Sequence, residues 1–251
     1  MQSLAGKTVL ITGAAGDVGQ ACLQTLLAAG ARVMLTDRTP PPQIGGADVH
    51  FAAGDVTDRG AVGAVFEAAV ERFGRIDAAV LAAGIEGPVG PIEDIAEADL
   101  DAVLAVNLKG VLFWMQACLP HMKANGAGSI VALSSISGLV GAASLAPYVI
   151  SKHAVIGLVR SAALESGPHG VRVNAVCPGP IDSPMMRRLE EALAAQDPAR
   201  PAGQPGAARS IPLQRYASAD EVARMAVFLC SDDSASCHGG TYTVDGGFTA
   251  R

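Results

Sequence analysis

The chain has 251 residues, a net charge of −6, an apolar half and only 17% charged positions. An acidic balance without any run of Lys and Arg excludes nucleic acid and anionic membranes as expected partners. No uninterrupted apolar stretch reaches the ~18 residues of a membrane span, and the opening Met1-Gln2-Ser3-Leu4-Ala5-Gly6-Lys7 lacks a signal pattern, so a soluble, cytoplasmic protein is expected.

In chain order, short apolar runs alternate with amphipathic stretches. Strands are predicted at Thr8–Thr12, Arg32–Thr36, Val49–Ala53, Ala78–Ala82, Ser129–Ser134, Arg172–Val176 and Thr241–Val244. Helices are predicted between them at Val18–Ala29, Asp58–Phe73, Leu100–Lys123, Tyr148–Ser166 and Ser218–Cys230, with Gly30 and Gly74 as stops. This βαβα order implies an α/β fold: one doubly wound, Rossmann-type parallel sheet of about seven strands, helices on both faces, in a single domain over 1–251. Pro184–Pro212 interrupts the order; a helix-like Met185–Gln196 runs into a Pro/Gly/Ala stretch, which reads as a disordered segment or a lid over a substrate. Cys22, Cys118, Cys177, Cys230 and Cys237 lack metal or disulfide spacing and read as reduced core thiols, so no metal is expected.

After the first strand comes Thr12-Gly13-Ala14-Ala15-Gly16-Asp17-Val18-Gly19. Glycines there let the backbone approach a pyrophosphate at a helix N-terminus, although tight strand-to-helix turns also use them for steric reasons. Asp17 is expected to point to solvent and is a candidate cap of the first helix. Asp37 closes the second strand, where a carboxylate accepts bonds from adenosine ribose hydroxyls and repels a 2′-phosphate; this favours NAD(H). Arg38 beside it is either a solvated charge or a partner for a 2′-phosphate. Asp55-Val56, after the third strand, either faces the adenine or, for Asp55, caps the next helix. Tyr148 and Lys152, at i and i+4, share a helix face, so an ammonium is expected to lower the phenol's pKa toward the working range.

Together these residues resemble the short-chain dehydrogenase/reductase family over nearly the whole chain. The glycine motif looks like its T-G-x-x-x-G-x-G, with Gly16 one place early and Asp17 in the middle position. Ser135, Tyr148 and Lys152 match its catalytic positions and Asn107 the fourth. Ala82-Ala83-Gly84 stands for N-A-G without the amide that ties neighbouring strands. Pro178-Gly179-Pro180-Ile181-Asp182-Ser183 resembles the segment beside the nicotinamide, with Ser183 where Thr is usual, and Val244-Asp245-Gly246-Gly247 resembles the C-terminal D-G-G.

The resemblance implies hydride transfer between NAD(H) and a secondary alcohol or ketone. Tyr148 would exchange the proton, Lys152 would lower its pKa and bind the nicotinamide ribose, Ser135 would hold the substrate oxygen, and Asn107 would hold a water leading from Lys152 to solvent. Read as residues alone, Ser135 also suits a loop cap and Asn107 a core amide. The substrate pocket is expected from Glu86, Ser135, Ile136, Ser137, Leu139, Met185, Met186 and Leu189, a mostly small or apolar set suited to a compact hydrophobic alcohol or ketone, with Glu86 either a polar contact or a solvated loop carboxylate. The Asp-Pro-x-x-Pro stretch and the Gly-Gly-Phe-Thr-Ala end are similar to those of NAD-dependent cyclic alcohol and cyclic ketone members, which implies a cyclic substrate. Alternatives are an NADPH-dependent 3-oxoacyl-thioester reductase and a cofactor-binding protein without turnover. The resemblance also implies a homo-oligomer, a tetramer.

Overall fold

The computed structural model describes residues 4–42, 45–196 and 208–250. Seven strands form one sheet, each pair parallel: β1 (Thr8–Thr12), β2 (Arg32–Asp37), β3 (Val49–Ala53), β4 (Ala78–Leu81), β5 (Gly128–Leu133), β6 (Val171–Pro178) and β7 (Thr241–Val244). Their order is β3-β2-β1-β4-β5-β6-β7. The chain reverses direction across the sheet between β1 and β4, which opens a crevice at the carboxyl ends of these strands.

Alternation along each strand splits the core into two layers. Val9, Ile11, Val33, Leu35, Val80 and Val176 face α1 (Asp17–Ala28) and α7 (Ala219–Cys230). Leu10, Met34, Ala79, Ile130 and Val173 face α2 (Arg59–Phe73), α4 (Gly110–Ala124) and α5 (Ala146–Ser166). Most of these side chains are fully covered, and each buried aliphatic contributes ~1.5–3 kcal/mol. That two-sided burial explains the apolar excess of the chain.

Most boundaries shift by a residue or two from the sequence reading, and three differences bear on the site. β6 runs on through Cys177 and Pro178, because these pair with Thr243 and Val244 of β7. α1 is capped by Gly16, whose backbone is extended, and Asp17 is the first helical residue rather than the cap; it is exposed, as expected. The predicted helix Leu100–Lys123 is α3 (Glu97–Leu104) and α4 joined by a π turn over Ala105–Lys109, where Gly110 N–H reaches back to the Ala105 carbonyl. A π turn inserts a residue and re-aims side chains, commonly at functional sites. Here it carries the buried Asn107.

After β6 comes α6 (Pro184–Gln196), so the first part of the expected lid is helical. The rest of that expectation, at 197–207, falls outside the described residues.

Candidate active site

At the carboxyl end of β1 the glycines are dictated by contact. A Cβ on Gly13, whose φ is +67°, would stand 2.7 Å from the Ala83 backbone, and one on Gly19 would stand 2.2 Å from the Gly13 carbonyl. Gly16 offers no side chain to the first N–H groups of α1, which therefore remain available for an anion. Asp37 accepts Ala15 N–H at 3.0 Å and Arg38 N–H at 2.7 Å, so its carboxylate braces the glycine loop and keeps lone pairs to spare. Arg38 is exposed.

Asp58, not Asp55, caps α2, accepting from Gly60 and Ala61. Asp55 instead folds a turn onto the Thr57 N–H and hydroxyl; these bonds, with Arg38 nearby, hold its carboxyl below the usual range. Val56 packs where a Cβ on Gly110 would be, at 2.9 Å. Ala83 N–H donates to Thr12 Oγ1 at 3.2 Å, so the strands are tied without the missing amide.

Across the crevice, Gly179 N–H bonds the Val244 carbonyl, and a Cβ there would stand 2.9 Å from Asp245 Cα. The Pro-Gly and Asp-Gly-Gly segments are thus one contact. Ile181 pairs with Ala217. Ser183 caps α6, its Oγ accepting Met186 N–H at 3.2 Å while its own proton remains available.

Ser135 follows β5 and begins a 3₁₀ turn, Ile136–Gly138; its Oγ accepts Ser137 N–H at 3.1 Å, and its hydroxyl acts on the Tyr148 phenol to lower its pKa. Tyr148 and Lys152 lie in the first two turns of α5. Lys152 is 4% exposed, donates to the Leu133 carbonyl at 2.8 Å, and stands 5.5 Å from the Tyr148 ring centre. A Cβ on Gly84 would lie 3.5 Å from Lys152 Nζ and 3.4 Å from Asn107 Oδ1, so all four predicted catalytic residues meet beside the Ala-Ala-Gly loop.

The electrostatics correct one expectation. Burial pushes the Tyr148 phenol up to about 12; the Ser135 hydrogen bond opposes this and the Glu86 charge adds to it. Lys152 does not set the value, because its ammonium lies by the ring and is aimed at a carbonyl rather than at the hydroxyl. Burial in turn lowers Lys152 to about 8, with Cys177 opposing. As arranged, Tyr148 holds its proton at neutral pH and is a proton donor.

Asn107 also differs from expectation. Its Oδ1 accepts Ile85 N–H at 2.8 Å, and its Nδ2 donates to the Ile85 carbonyl at 2.9 Å and to Ser151 Oγ at 3.0 Å. Both amide protons are spent on protein, so a water is left only Oδ1 or the main chain of the π turn. Ser151, unnoticed in the sequence, donates to the Tyr148 carbonyl at 2.8 Å and registers α5 against the π turn; its place between Tyr148 and Lys152 was the available signal. Ser134 was also missed; it donates to the Lys152 carbonyl at 2.9 Å.

In the expected pocket, Ile136 and Ser137 are buried in the 3₁₀ turn, and Leu139 packs on the core beside it. Met185, Met186 and Leu189 are half-buried on α6. Glu86 is half-buried and paired: its Oε1 accepts from Arg188 Nε at 3.1 Å and Nη2 at 3.0 Å. Glu190, on the same helix, takes the Tyr216 hydroxyl. No sequence pattern pointed to Arg188.

A family model described as enoyl-(acyl carrier protein) reductase matches residues 13–249. The short-chain dehydrogenase/reductase aba4 of Botryotinia fuckeliana (strain B05.10) is 37% identical over 98% of each chain. The chain belongs to the short-chain dehydrogenase/reductase family. It is therefore an oxidoreductase of a family that binds a nicotinamide cofactor. Cis-4-hydroxycyclohexanecarboxylate dehydrogenase of Sinomonas cyclohexanicum is 36% identical over 99% of each chain. Among solved structures, levodione reductase superposes with a TM-score of 0.91 at 34% identity, covering 98% of each chain, and ElxO with NADP bound with 0.88 at 29% over the full length of both.

Proposed function

We propose that the protein transfers hydride between NAD(H) and a small apolar or cyclic secondary alcohol or ketone. The observation that carries this reading is buried Lys152 beside the Tyr148 ring, with Gly84 against both its Nζ and Asn107, at the edge of a glycine loop whose helix has no side-chain cap. When bound, the nicotinamide supplies or accepts the hydride. Gly13, Gly16, Asp17, Val18 and Gly19 would hold its pyrophosphate by backbone N–H groups, and Asp37 its adenosine ribose. Asp55 and Val56 would lie beside the adenine. The Ala82–Gly84 loop, Tyr148, Lys152, Pro178, Gly179, Ile181 and Ser183 would surround the nicotinamide end.

In reduction, Tyr148 gives its proton to the forming alkoxide, and Ser135 stabilises that oxygen by hydrogen bonding. In oxidation the proton returns to Tyr148 oxygen. Lys152, uncharged above about pH 8 and cationic below, donates to the Leu133 carbonyl and would bind the nicotinamide ribose hydroxyls. Asn107 and Ser151 hold the helix that presents both groups.

NAD(H) is favoured because the Asp37 carboxylate sits at the end of β2, where it would repel a 2′-phosphate. Exposed Arg38, together with NADP in the ElxO structure, supports the opposite preference. Relative kcat/KM with the two cofactors decides between them. A ring substrate is supported by the pocket's small and apolar lining and by the cyclohexane named in the Sinomonas relative. The reading further includes a cytoplasmic homo-oligomer, a tetramer, for which free cysteines and the exposed Ile150 and Leu164 of α5 speak. Tyr148→Phe should abolish turnover while NADH still binds by fluorescence titration; turnover retained in that variant sinks the mechanism.

A further inference from the structure

Glu86 and Tyr148 belong to one rigid frame. Ile85, directly before Glu86, is fixed through both its N–H and its carbonyl by Asn107, which bonds Ser151, which bonds the Tyr148 carbonyl. Directly after Glu86, Gly87 turns the chain at φ +71°, and a Cβ there would strike Val103 at 2.4 Å. The Glu86 backbone is thus pinned on both sides relative to the reacting phenol. From the opposite wall, two N–H groups of Arg188 on α6 converge on Oε1. Oε2 makes no hydrogen bond among the described residues, so the carboxylate keeps acceptor capacity. Through Ile85, Asn107 and Ser151 its backbone is tied to the turn of α5 that carries Tyr148, and its charge raises the Tyr148 pKa.

Three kinds of substrate can meet this arrangement. A plain apolar ring covers Oε2 and leaves it without a partner, at the cost of its hydration. An anionic substrate must take Arg188 away from Glu86 and leave a half-buried carboxylate unpaired beside a second one. A hydroxyl donates to Oε2 with the Arg188 pair undisturbed. The last adds a charge-assisted bond and breaks none.

We propose that Glu86, clamped by Arg188, is a hydroxyl-accepting subsite, and that the preferred substrate is a cyclic secondary alcohol or ketone carrying a second hydroxyl near the reacting carbon. The inference rests on the dehydrogenase reading above. In diol oxidation the reacting carbon would lose hydride to the nicotinamide and its hydroxyl would lose a proton to the phenolate form of Tyr148, while the second hydroxyl is bound and unchanged.

The test is kcat/KM for cis- and trans-cyclohexane-1,2-diol against cyclohexanol and cis-4-hydroxycyclohexanecarboxylate, in the wild type, Glu86→Ala and Arg188→Ala. NADH titration shows that each variant retains a formed site. The better diol isomer should exceed cyclohexanol by about tenfold or more in the wild type, the worth of one hydrogen bond to a charged group. Glu86→Ala should bring that ratio close to one, and Arg188→Ala should lower it by releasing the clamp. A wild-type ratio near one, or a ratio unchanged in Glu86→Ala, overturns the inference and leaves the dehydrogenase reading standing. So does a preference for the carboxylate that Arg188→Ala abolishes. No oxidation of any of these alcohols with either cofactor overturns both.

Discussion

Replacing Lys152 with Met should stabilise the protein at neutral pH while removing its activity. Lys152 is 4% exposed, and burial lowers its pKa from 10.5 to about 8. Because the folded pKa lies below the unfolded one, the unfolded chain binds more protons between about pH 8 and 10.5, and stability rises with pH across that window. Below about pH 8 the folded state carries the whole penalty of a buried ammonium. At 1.36 kcal/mol per pH unit the interval amounts to about 3 kcal/mol. Met is similar in length and apolar, so packing is kept, and the lost bond to Leu133 subtracts about 1 kcal/mol. The net gain at pH 7 should be about 1–3 kcal/mol, with Tm rising ~2–4 °C per kcal/mol in a domain of this size.

Urea unfolding of both proteins at pH 7 and pH 10 reads the effect. The variant should lead at pH 7, and the wild type should close most of the gap by pH 10. Tyr148, pushed up to about 12, takes stability away above about pH 10 in both proteins, so their difference isolates Lys152. A variant weaker than wild type at pH 7, or a gap constant with pH, refutes the reasoning.

Gly19→Ala, whose Cβ would stand 2.2 Å from the Gly13 carbonyl, should cost about 1–3 kcal/mol of stability and weaken NADH binding; an unchanged Kd contradicts the cradle. Ser218→Ala removes half of the capping box that starts α7 and should cost about 1 kcal/mol without altering kcat, as seen by thermal melts beside assays. Glu86→Gln removes a charge that raises the Tyr148 pKa, so the rise of kcat/KM for oxidation with pH should move to lower pH; a shift upward or none counts against that contact.

Much of the fold was legible because its signals are local. Seven strands and the helices around them announce themselves through apolar period, and the parallel order follows from their alternation. The grouping of Ser135, Tyr148 and Lys152 was legible through order and spacing. The π turn at Ala105–Lys109 was not, because a helical apolar pattern tolerates an added residue without a change in composition. Ser134 and Arg188 were invisible for a different reason: each acts through a partner well along the chain, as Arg188 does with Glu86.

The sequence by itself determined the family, the sheet and the reaction class, since these rest on glycines, strand period and the Tyr-x-x-x-Lys spacing. The tertiary structure decided how the groups behave. It brings Gly84 against Asn107 and Lys152, and it buries Lys152 and half-buries Tyr148 so that desolvation, rather than mutual attraction, sets their proton affinities. It also turns Glu86 from a loop carboxylate into one clamped by α6. Burial and long-range contact are properties of the packed chain, and no local pattern encodes either.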